Sequence, residues 1–447
     1  MKILMIGTGY VGLVTGACFA EIGHKVICID KNQEKIARLN QGQIPIFEPG
    51  LEELVARNKS SGKLSFIDDL SLLSGSVPDF VFLAVGTPSL KTTGEADLSY
   101  VLAAAKEAAE MLAQMPEQDF TVFVTKSTVP VGTSVKIKQV IAQHLPDGNF
   151  AVASNPEFLR EGAAIEDFMQ PSRIVVGSDS EDARRMLEKM YRPLTRLGYP
   201  LVVTSTVATA ELIKYAANAF LATKVTFINE LSRLCEKVDA RIDELSLGLG
   251  LDERISDKFL QPGPGFGGSC LPKDTRALVN TAIDSGSRLE IVETVVRMNE
   301  EHKSKMVEKI IAIASPSNGD LAGKRIGILG LTFKAHTDDV RESPALTIIP
   351  ALTDKGATIV AFDPQGTEQA KEILSDCAFK DQAEQVFDKT DLVVVITEWP
   401  QFQQLDWTSL SKTMNTPVIV DLRNMLDADK LRDAGFAYHS IGGYGAQ

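Results

Sequence analysis

Cys270 lies in the run Phe266-Gly267-Gly268-Ser269-Cys270-Leu271-Pro272-Lys273-Asp274, between glycines and a proline suited to the first position of a helix. A helix N-terminus carries partial positive charge and Lys273 adds a full one, so both favour thiolate over thiol. Proline loses nothing at a first helical position, where its missing N–H would be unpaired anyway. The flanking glycines let backbone approach a ligand more closely than side-chain-bearing residues could. The chain also opens with Gly7-Thr8-Gly9-Tyr10-Val11-Gly12 after a short apolar run, with Asp30 at the end of the next one, 18 residues beyond Gly12. That is the pattern of a dinucleotide turn: Gly7 for the tight bend, Gly9 for the pyrophosphate, Gly12 for close helix packing. Asp30 would bond the ribose hydroxyls and repel a 2′-phosphate, which favours NAD over NADP. Lys35 could reach the cofactor's edge, although a lone helical lysine is more often solvated. A nucleophilic cysteine combined with NAD implies oxidation through a covalent thioester, a two-step, four-electron dehydrogenation.

Other residues could serve the same chemistry. Gly86-Thr87-Pro88 and Ser127-Thr128-Val129-Pro130 each follow an apolar strand, at the carboxyl edge where ligands of open α/β sheets bind. Glu157, in Asn155-Pro156-Glu157-Phe158-Leu159-Arg160-Glu161-Gly162, could activate a water. Alone it would read as a carboxylate at a helix start. Lys214 and Asn218 share one helix face and could together hold an oxygen that becomes negative. Asp274, one turn beyond Cys270, reads as a base or water-holder, or else as a complement to the helix dipole. Lys334 and Arg341 follow a strand in the second half and could contact a phosphate-bearing ligand. Cys18, Cys28 and Cys235 lie in core patterns and should be inert, and Cys377 has no supporting motif.

Positioning these groups takes an α/β scaffold. Lys2 to Ile6, a helix stopping at Gly23, and Lys25 to Ile29 form a βαβ unit, and the runs Phe80 to Val85 and Thr121 to Thr125 extend a doubly wound parallel sheet. A long helix is expected from Val207 to about Val238, with neither Gly nor Pro inside it. After a Ser/Pro/Asn/Gly-rich stretch from Ala314 to Gly323 the opening pattern recurs: Lys324 to Gly330 echoes Lys2 to Gly7, Thr358 to Asp363 echoes Lys25 to Asp30, and Leu392 to Thr397 echoes Phe80 to Thr87. The second half carries Leu331-Thr332-Phe333-Lys334 where the first has its glycine turn, so it should bind something other than a dinucleotide. The 447 residues hold 46 Lys and Arg against 59 Asp and Glu, a net charge of −13 that disfavours nucleic acid and anionic membranes. The five cysteines form no CxxC pair and read as reduced thiols of a cytoplasmic protein. The strand at the very start leaves no room for a signal peptide, and no apolar run is long enough to span a bilayer.

These motifs, in this order and over essentially the whole chain, resemble the UDP-glucose/GDP-mannose dehydrogenase family. The resemblance rests on GxGYVG, the Thr87-Pro88 and Ser127-Thr128-Val129-Pro130 turns, NPEFLREG, the Lys214/Asn218 helix, GxGFGGSCxPKD and FKxxTDDxRESP. It implies an α/β fold of two Rossmann-like doubly wound domains joined by a central helical domain with one long helix. Residues 1–200 would bind NAD, 201–312 would carry the catalytic cysteine and a dimerisation helix, and 313–447 would bind the UDP-sugar. The implied reaction is NAD-dependent four-electron oxidation of UDP-glucose to UDP-glucuronate through a Cys270 thiohemiacetal and thioester. Carried over by position, Lys214, Asn218 and Asp274 surround the reacting carbon, with Thr128 and Glu157 assisting proton transfer and water. Phe158, Leu159, Phe259, Gly263, Gly267 and Lys334 would join Glu157, Lys214 and Asn218 around the substrate. Lys273 and Arg341 would touch the cofactor with Gly7, Gly9, Val11, Gly12, Asp30, Lys35, Thr87 and Thr128. Arg254 would reach a neighbouring subunit's sugar, which implies a homodimer. No metal is expected. Leu271 stands where many UDP-glucose enzymes have an aromatic, which leaves GDP-mannose or a UDP-N-acetylhexosamine open as the substrate; an ordinary two-electron dehydrogenase and a non-catalytic NAD-binding regulator are the readings from other classes.

Overall fold

A computed structural model of the chain describes residues 1–73, 77–88, 96–115, 119–146 and 148–443. The chain forms two compact units, Met1–Ala217 and Asn218–Gln447. The helix Val207–Val238, with the expected bounds, runs through the boundary between them.

Among its described residues the first unit holds eight strands: β1 (Lys2–Ile6), β2 (Lys25–Ile29), β3 (Leu64–Ile67), β4 (Phe80–Leu83), β5 (Thr121–Thr125), β6 (Phe150–Ser154), β7 (Ile174–Ser178) and β8 (Leu201–Thr204). Their order is β3-β2-β1-β4-β5-β6-β7-β8, so the first six follow the doubly wound arrangement with its switch point between β1 and β4. The apolar runs are continuous rather than alternating because helices cover both faces, and β4, β5 and β6 are buried along their whole length. One feature departs from the expected all-parallel sheet. β7 pairs antiparallel with β6, matching Ala153 to Ser178 and Ser154 to Gly177, and β8 then runs parallel to β7. The core on one face gathers Leu13, Phe19, Phe82, Phe168 and Tyr191; the other gathers Val101, Phe123, Ile137 and Phe150.

The second unit begins with the remainder of the long helix, followed by helices Ile242–Gly250, Leu271–Asp284 and Glu290–Ala314. Its sheet contains β9 (Arg325–Leu329), β10 (Thr358–Phe362), β11 (Cys377–Phe379), β12 (Leu392–Val395), β13 (Val418–Asp421) and β14 (Ala437–His439). The order β11-β10-β9-β12-β13-β14 repeats the doubly wound pattern, here with every pair parallel. The echo seen in the sequence is thus an echo of structure. Gly330, at the end of β9, has φ +95° and would drive a Cβ to 2.4 Å from Thr397, as Gly7 at the end of β1 has φ +101° and would drive one to 2.6 Å from the Ala84 carbonyl.

The two turns differ in what their aspartates do. Asp363, the counterpart of Asp30, accepts from the amides of Leu331 and Thr332 at 2.7 and 3.0 Å, from the Thr332 hydroxyl and from the Trp399 indole N–H at 3.1 Å each, and from the amides of Gln365 and Gly366. A buried carboxylate with its lone pairs so occupied has nothing left for a ribose. With Leu331-Thr332-Phe333-Lys334 in place of the glycine turn, this sets the second turn apart from the first.

Candidate active site

The fingerprint turn is built as its spacing requires. A Cβ on Gly12 would fall 2.0 Å from the Gly7 carbonyl oxygen and 3.1 Å from the Ala84 side chain, so the helix Tyr10–Glu21 can approach the sheet only with glycine there. Gly9 is different: a Cβ would meet nothing within 4 Å. The sterically forced glycines hold the turn, and the open side of Gly9 suits a pyrophosphate at a helix N-terminus, so these residues fit NAD. Asp30 accepts from the Thr8 amide at 3.0 Å, the Thr8 hydroxyl at 2.8 Å and the Lys35 ammonium at 3.1 Å. Burial works to raise its pKa, but these bonds and one from the Asn32 amide outweigh it and hold the carboxylate below its ordinary range. Lys35 is therefore the counter-ion of Asp30 rather than a solvated lysine. The Thr87 hydroxyl donates to the Thr128 carbonyl at 3.0 Å, and the Ser127 hydroxyl to the Val85 carbonyl at 2.6 Å, which stitches together the two turns that follow β4 and β5. Val11 sits half-buried at the start of the first helix.

Glu157 and Lys214 form a second group in the same unit. Their side chains are each 5% exposed and their charged atoms lie 3.0 Å apart. Glu157 sits in irregular chain after β6, so the alternative of a helix-start carboxylate does not apply. Its carboxylate also accepts from the Leu159 amide at 2.6 Å. Phe158 stacks under the Arg173 guanidinium at 3.7 Å, with the Lys214 ammonium at 5.4 Å from the same ring. Lys214 is a buried cation held by a carboxylate and an aromatic face.

Three residues outside the sequence motifs organise this unit. Glu48, 7% exposed, accepts from the Tyr10 hydroxyl, from the Gly162 amide at 2.8 Å and from the Ala164 amide at 2.7 Å, and so ties the fingerprint helix to the end of NPEFLREG. Lys126 donates to the Asn155 side-chain carbonyl at 3.1 Å and is 4% exposed. Burial pushes its pKa down to about 8, with Lys214 adding to that effect and Glu157 opposing it. Glu211 accepts from the Gly132 amide at 2.9 Å, and burial pushes its carboxyl up to about 7. Position offered a signal only for Lys126, a lysine directly after the largely apolar strand Thr121–Thr125.

In the second unit Cys270 is the N-cap of the helix Leu271–Asp284. Proline stands one place later than expected: Leu271 takes the first position and Pro272 the second. Lys273 donates to Asp274 at 2.7 Å, so its charge is matched by a neighbouring carboxylate rather than directed at the sulfur alone. The other Asp274 oxygen accepts from the Asn218 side-chain amide at 2.6 Å. Asp274 is fully buried, which excludes a mere surface complement to the helix dipole. The Ser269 hydroxyl lies 3.5 Å from the half-exposed sulfur. By contrast Cys18 and Cys28 are buried, and burial pushes their thiols up to about 12. Cys377 is half-buried on edge strand β11 and rises likewise.

The glycines before Cys270 serve packing. A Cβ on Gly267 would lie 2.3 Å from the Glu342 carbonyl oxygen, and one on Gly268, at φ +82°, 2.8 Å from the Phe333 ring. The Gly268 amide donates to the Arg341 carbonyl at 2.8 Å. On the side where a Cβ would stand, both glycines are approached by the chain's own 333–342 segment. Asn299 brackets the Phe266 backbone with bonds of 2.9 and 3.1 Å, while Asn229 and His302 hold Gly263 at 2.8 Å each. Burial pushes His302 down to about 4, so it stays neutral and donates through Nε2. Phe259 is 39% exposed with φ +63°, an unusual conformation for an aromatic residue. The Arg341 guanidinium pairs with Asp339 at 2.7 Å, Lys334 lies 5.7 Å from the Phe333 ring, and Arg254, its side chain 88% exposed, pairs with Asp252 at 2.6 Å. No cluster of metal-binding side chains occurs among the described residues, and no helix among them is long and apolar enough to cross a membrane.

A dinucleotide turn on one doubly wound sheet, with a cysteine at a helix N-cap in a separate unit, defines the class of NAD-dependent oxidoreductases. Family models match the chain in three consecutive pieces, described as the NAD binding domain (residues 1–195), the central domain (208–301) and the UDP binding domain (327–428) of one family. The protein named UDP-glucose 6-dehydrogenase of Rhizobium meliloti strain 1021 is 53% identical over 446 residues, covering 99% of both chains. UDP-glucose 6-dehydrogenase TuaD of Bacillus subtilis strain 168 is 44% identical, covering 99% of this chain and 93% of that one. Among solved structures, a UDP-glucose dehydrogenase from Pyrobaculum islandicum superposes with a TM-score of 0.88 at 36% identity, over 99% of this chain and 97% of that one. The chain belongs to the UDP-glucose/GDP-mannose dehydrogenase family.

Proposed function

We propose that this chain oxidises the C6 alcohol of UDP-glucose to the carboxylate of UDP-glucuronate, with two NAD and one water consumed per sugar. The observation that carries the reading is the buried Asp274 one helical turn beyond Cys270, held by Asn218 and Lys273, in a chain that also bears the Gly7–Gly12 turn. When bound, NAD supplies the hydride acceptor. Asp274, fixed by two donors, is suited to hold a proton or a water. The Cys270 sulfur adds to the aldehyde carbon left by the first oxidation and forms a thiohemiacetal. Loss of a second hydride leaves a thioester; water then adds to its carbonyl, the C–S bond breaks, and the thiol is restored. Glu157 is the carboxylate suited to take a proton from that water, and Lys214 and Asn218 the donors suited to the oxygen that becomes negative.

The same reading divides the chain into an NAD-binding part (1–200), a central helical part (201–312) and a UDP-sugar-binding part (313–447). Phe158, Leu159, Phe259, Gly263, Gly267 and Lys334 line the sugar nucleotide, and Lys273 and Arg341 contact the cofactor. A cytoplasmic homodimer follows, with Arg254 extended to a neighbour and the exposed Phe220, Phe227 and Leu234 of the long helix as its apolar face. Replacing Cys270 by alanine tests the reading: carboxylate formation is lost while NAD binding persists. Full activity in that variant would defeat it.

A further inference from the structure

Residues 260–268, which lead into Cys270, form neither helix nor strand, yet 262–268 are buried. Backbone N–H and C=O groups taken out of water need partners. Side chains of the helices Val207–Val238, Ile242–Gly250 and Glu290–Ala314 supply them here. The Ser246 hydroxyl donates to the Leu260 carbonyl at 2.5 Å. Asn229 accepts from the Gly263 amide at 2.8 Å, and the Gly263 carbonyl oxygen lies 2.8 Å from His302 Nε2. Asn299, one turn before His302, takes both the amide and the carbonyl of Phe266. Asn229, Asn299 and His302 are all buried.

The partners of His302 leave its ring one role, because an arginine only donates and a carbonyl only accepts. The Arg233 guanidinium lies 2.9 Å from Nδ1, so Nδ1 accepts, and Nε2 carries the proton given to Gly263. Arg233 also donates to the backbone carbonyl of Asn229 at 3.3 Å, which closes a ring of bonds through Arg233, Asn229, Gly263 and His302. Pro262 and Pro264 bring no N–H, so this ring fixes the one backbone donor within Pro262-Gly263-Pro264.

We propose that His302 is a positioning residue for the sugar nucleotide: its bond to the Gly263 carbonyl oxygen, together with those of Asn229 and Asn299, sets residues 260–268 in their bound shape before the substrate arrives. The proposal rests on the function argued above, in which Gly263 lines the sugar nucleotide and Cys270 follows on the same stretch. A segment already ordered in the free enzyme spares the ligand the cost of ordering it. His302 touches neither substrate nor cofactor in this scheme; it acts only through the backbone it holds.

The test compares His302→Gln and His302→Asn with wild type. A glutamine amide reaches as far as Nε2 and can still donate to Gly263, whereas an asparagine amide reaches only as far as Nδ1 and can meet Arg233 but not Gly263. Calorimetry without NAD reads the Kd for UDP-glucose, and NAD is titrated separately. In His302→Asn the Kd for UDP-glucose should rise about five- to tenfold, the worth of one hydrogen bond, while NAD affinity and kcat at saturating sugar stay within about threefold of wild type. His302→Gln should bind UDP-glucose within about twofold of wild type. Wild-type affinity for UDP-glucose in His302→Asn, an equal loss of NAD affinity, or a glutamine variant as impaired as the asparagine one would overturn the proposal. Should His302→Asn fail to fold, hydrogen exchange of the ligand-free wild type decides. Peptides covering 260–268 should exchange at least about 100-fold slower than an unstructured chain, and exchange at the unstructured rate until UDP-glucose is added overturns the proposal. A wild type that releases no NADH with UDP-glucose would condemn the proposed substrate instead, and the ligand-free exchange would still judge the ordered stretch.

Discussion

Replacing Glu48 by glutamine should loosen the end of NPEFLREG without unfolding the chain. The wild-type carboxylate takes the amides of Gly162 and Ala164 at 2.8 and 2.7 Å, and the Ile165 amide at 3.3 Å. Hydrogen bonds to a charged group contribute about 1.5 to 3 kcal/mol and neutral ones about 0.5 to 1.5. An amide side chain keeps one acceptor oxygen and turns an NH₂ toward the other donors. Downgrading or losing the two short bonds therefore costs about 2 to 3 kcal/mol, confined to the segment they hold. Hydrogen exchange followed by mass spectrometry reads this locally, because a segment that opens more easily exchanges faster while the rest of the protein does not. Peptides spanning 160–169 should exchange about 30- to 150-fold faster in Glu48→Gln, while a peptide spanning β12 is unchanged. The Michaelis constant for UDP-glucose should rise, since Phe158 and Leu159 directly precede the loosened segment. Exchange within threefold of wild type at 160–169 would refute the assignment of Glu48 as the tie between the fingerprint helix and that segment.

Glu211 should give the stability a characteristic pH dependence. Its folded pKa is raised to about 7, so the native state binds the extra proton and this stability is present at low pH and lost as pH rises through 7. Relative to Glu211→Gln, wild type should lose about 2 to 3 kcal/mol between pH 5 and pH 8 in denaturant titrations, and a difference independent of pH would contradict this. Gly268→Ala places a Cβ 2.8 Å from the Phe333 ring in a left-handed conformation, and should destabilise the second unit by about 2 to 4 kcal/mol. Trp399 and Trp407 both lie in that unit and report its unfolding by fluorescence, and Phe333→Ala in the same chain should recover the steric part.

The strands that bear the first fingerprint were legible because local chemistry alone specifies them. Lys2–Ile6 and Lys25–Ile29 are short apolar runs, each ended by glycine or aspartate, and the long helix is a 32-residue stretch without a breaker. The antiparallel β7 was not legible, since the direction in which a strand enters a sheet depends on the path of the chain around it. Cys270 and Asp274 could be found because their spacing is local to one helical turn. Glu48, Lys126 and Glu211 could not be assigned in the same way, because each acquires its role only from backbone or side chains 29 or more residues away. The packing of the glycines at 267 and 268 against the chain's own 333–342 segment was not legible either, since that segment lies more than 60 residues further on.

The central claim is that the sulfur of residue 270 retains the aldehyde until a second hydride has left. The yield of NADH per mole of UDP-glucose, measured to completion with excess NAD, tests it most directly. Two NADH and one UDP-glucuronate per sugar in the wild type, with no carboxylate from Cys270→Ala, is the predicted result. One NADH per sugar, or an undiminished yield of two from Cys270→Ala, would contradict it.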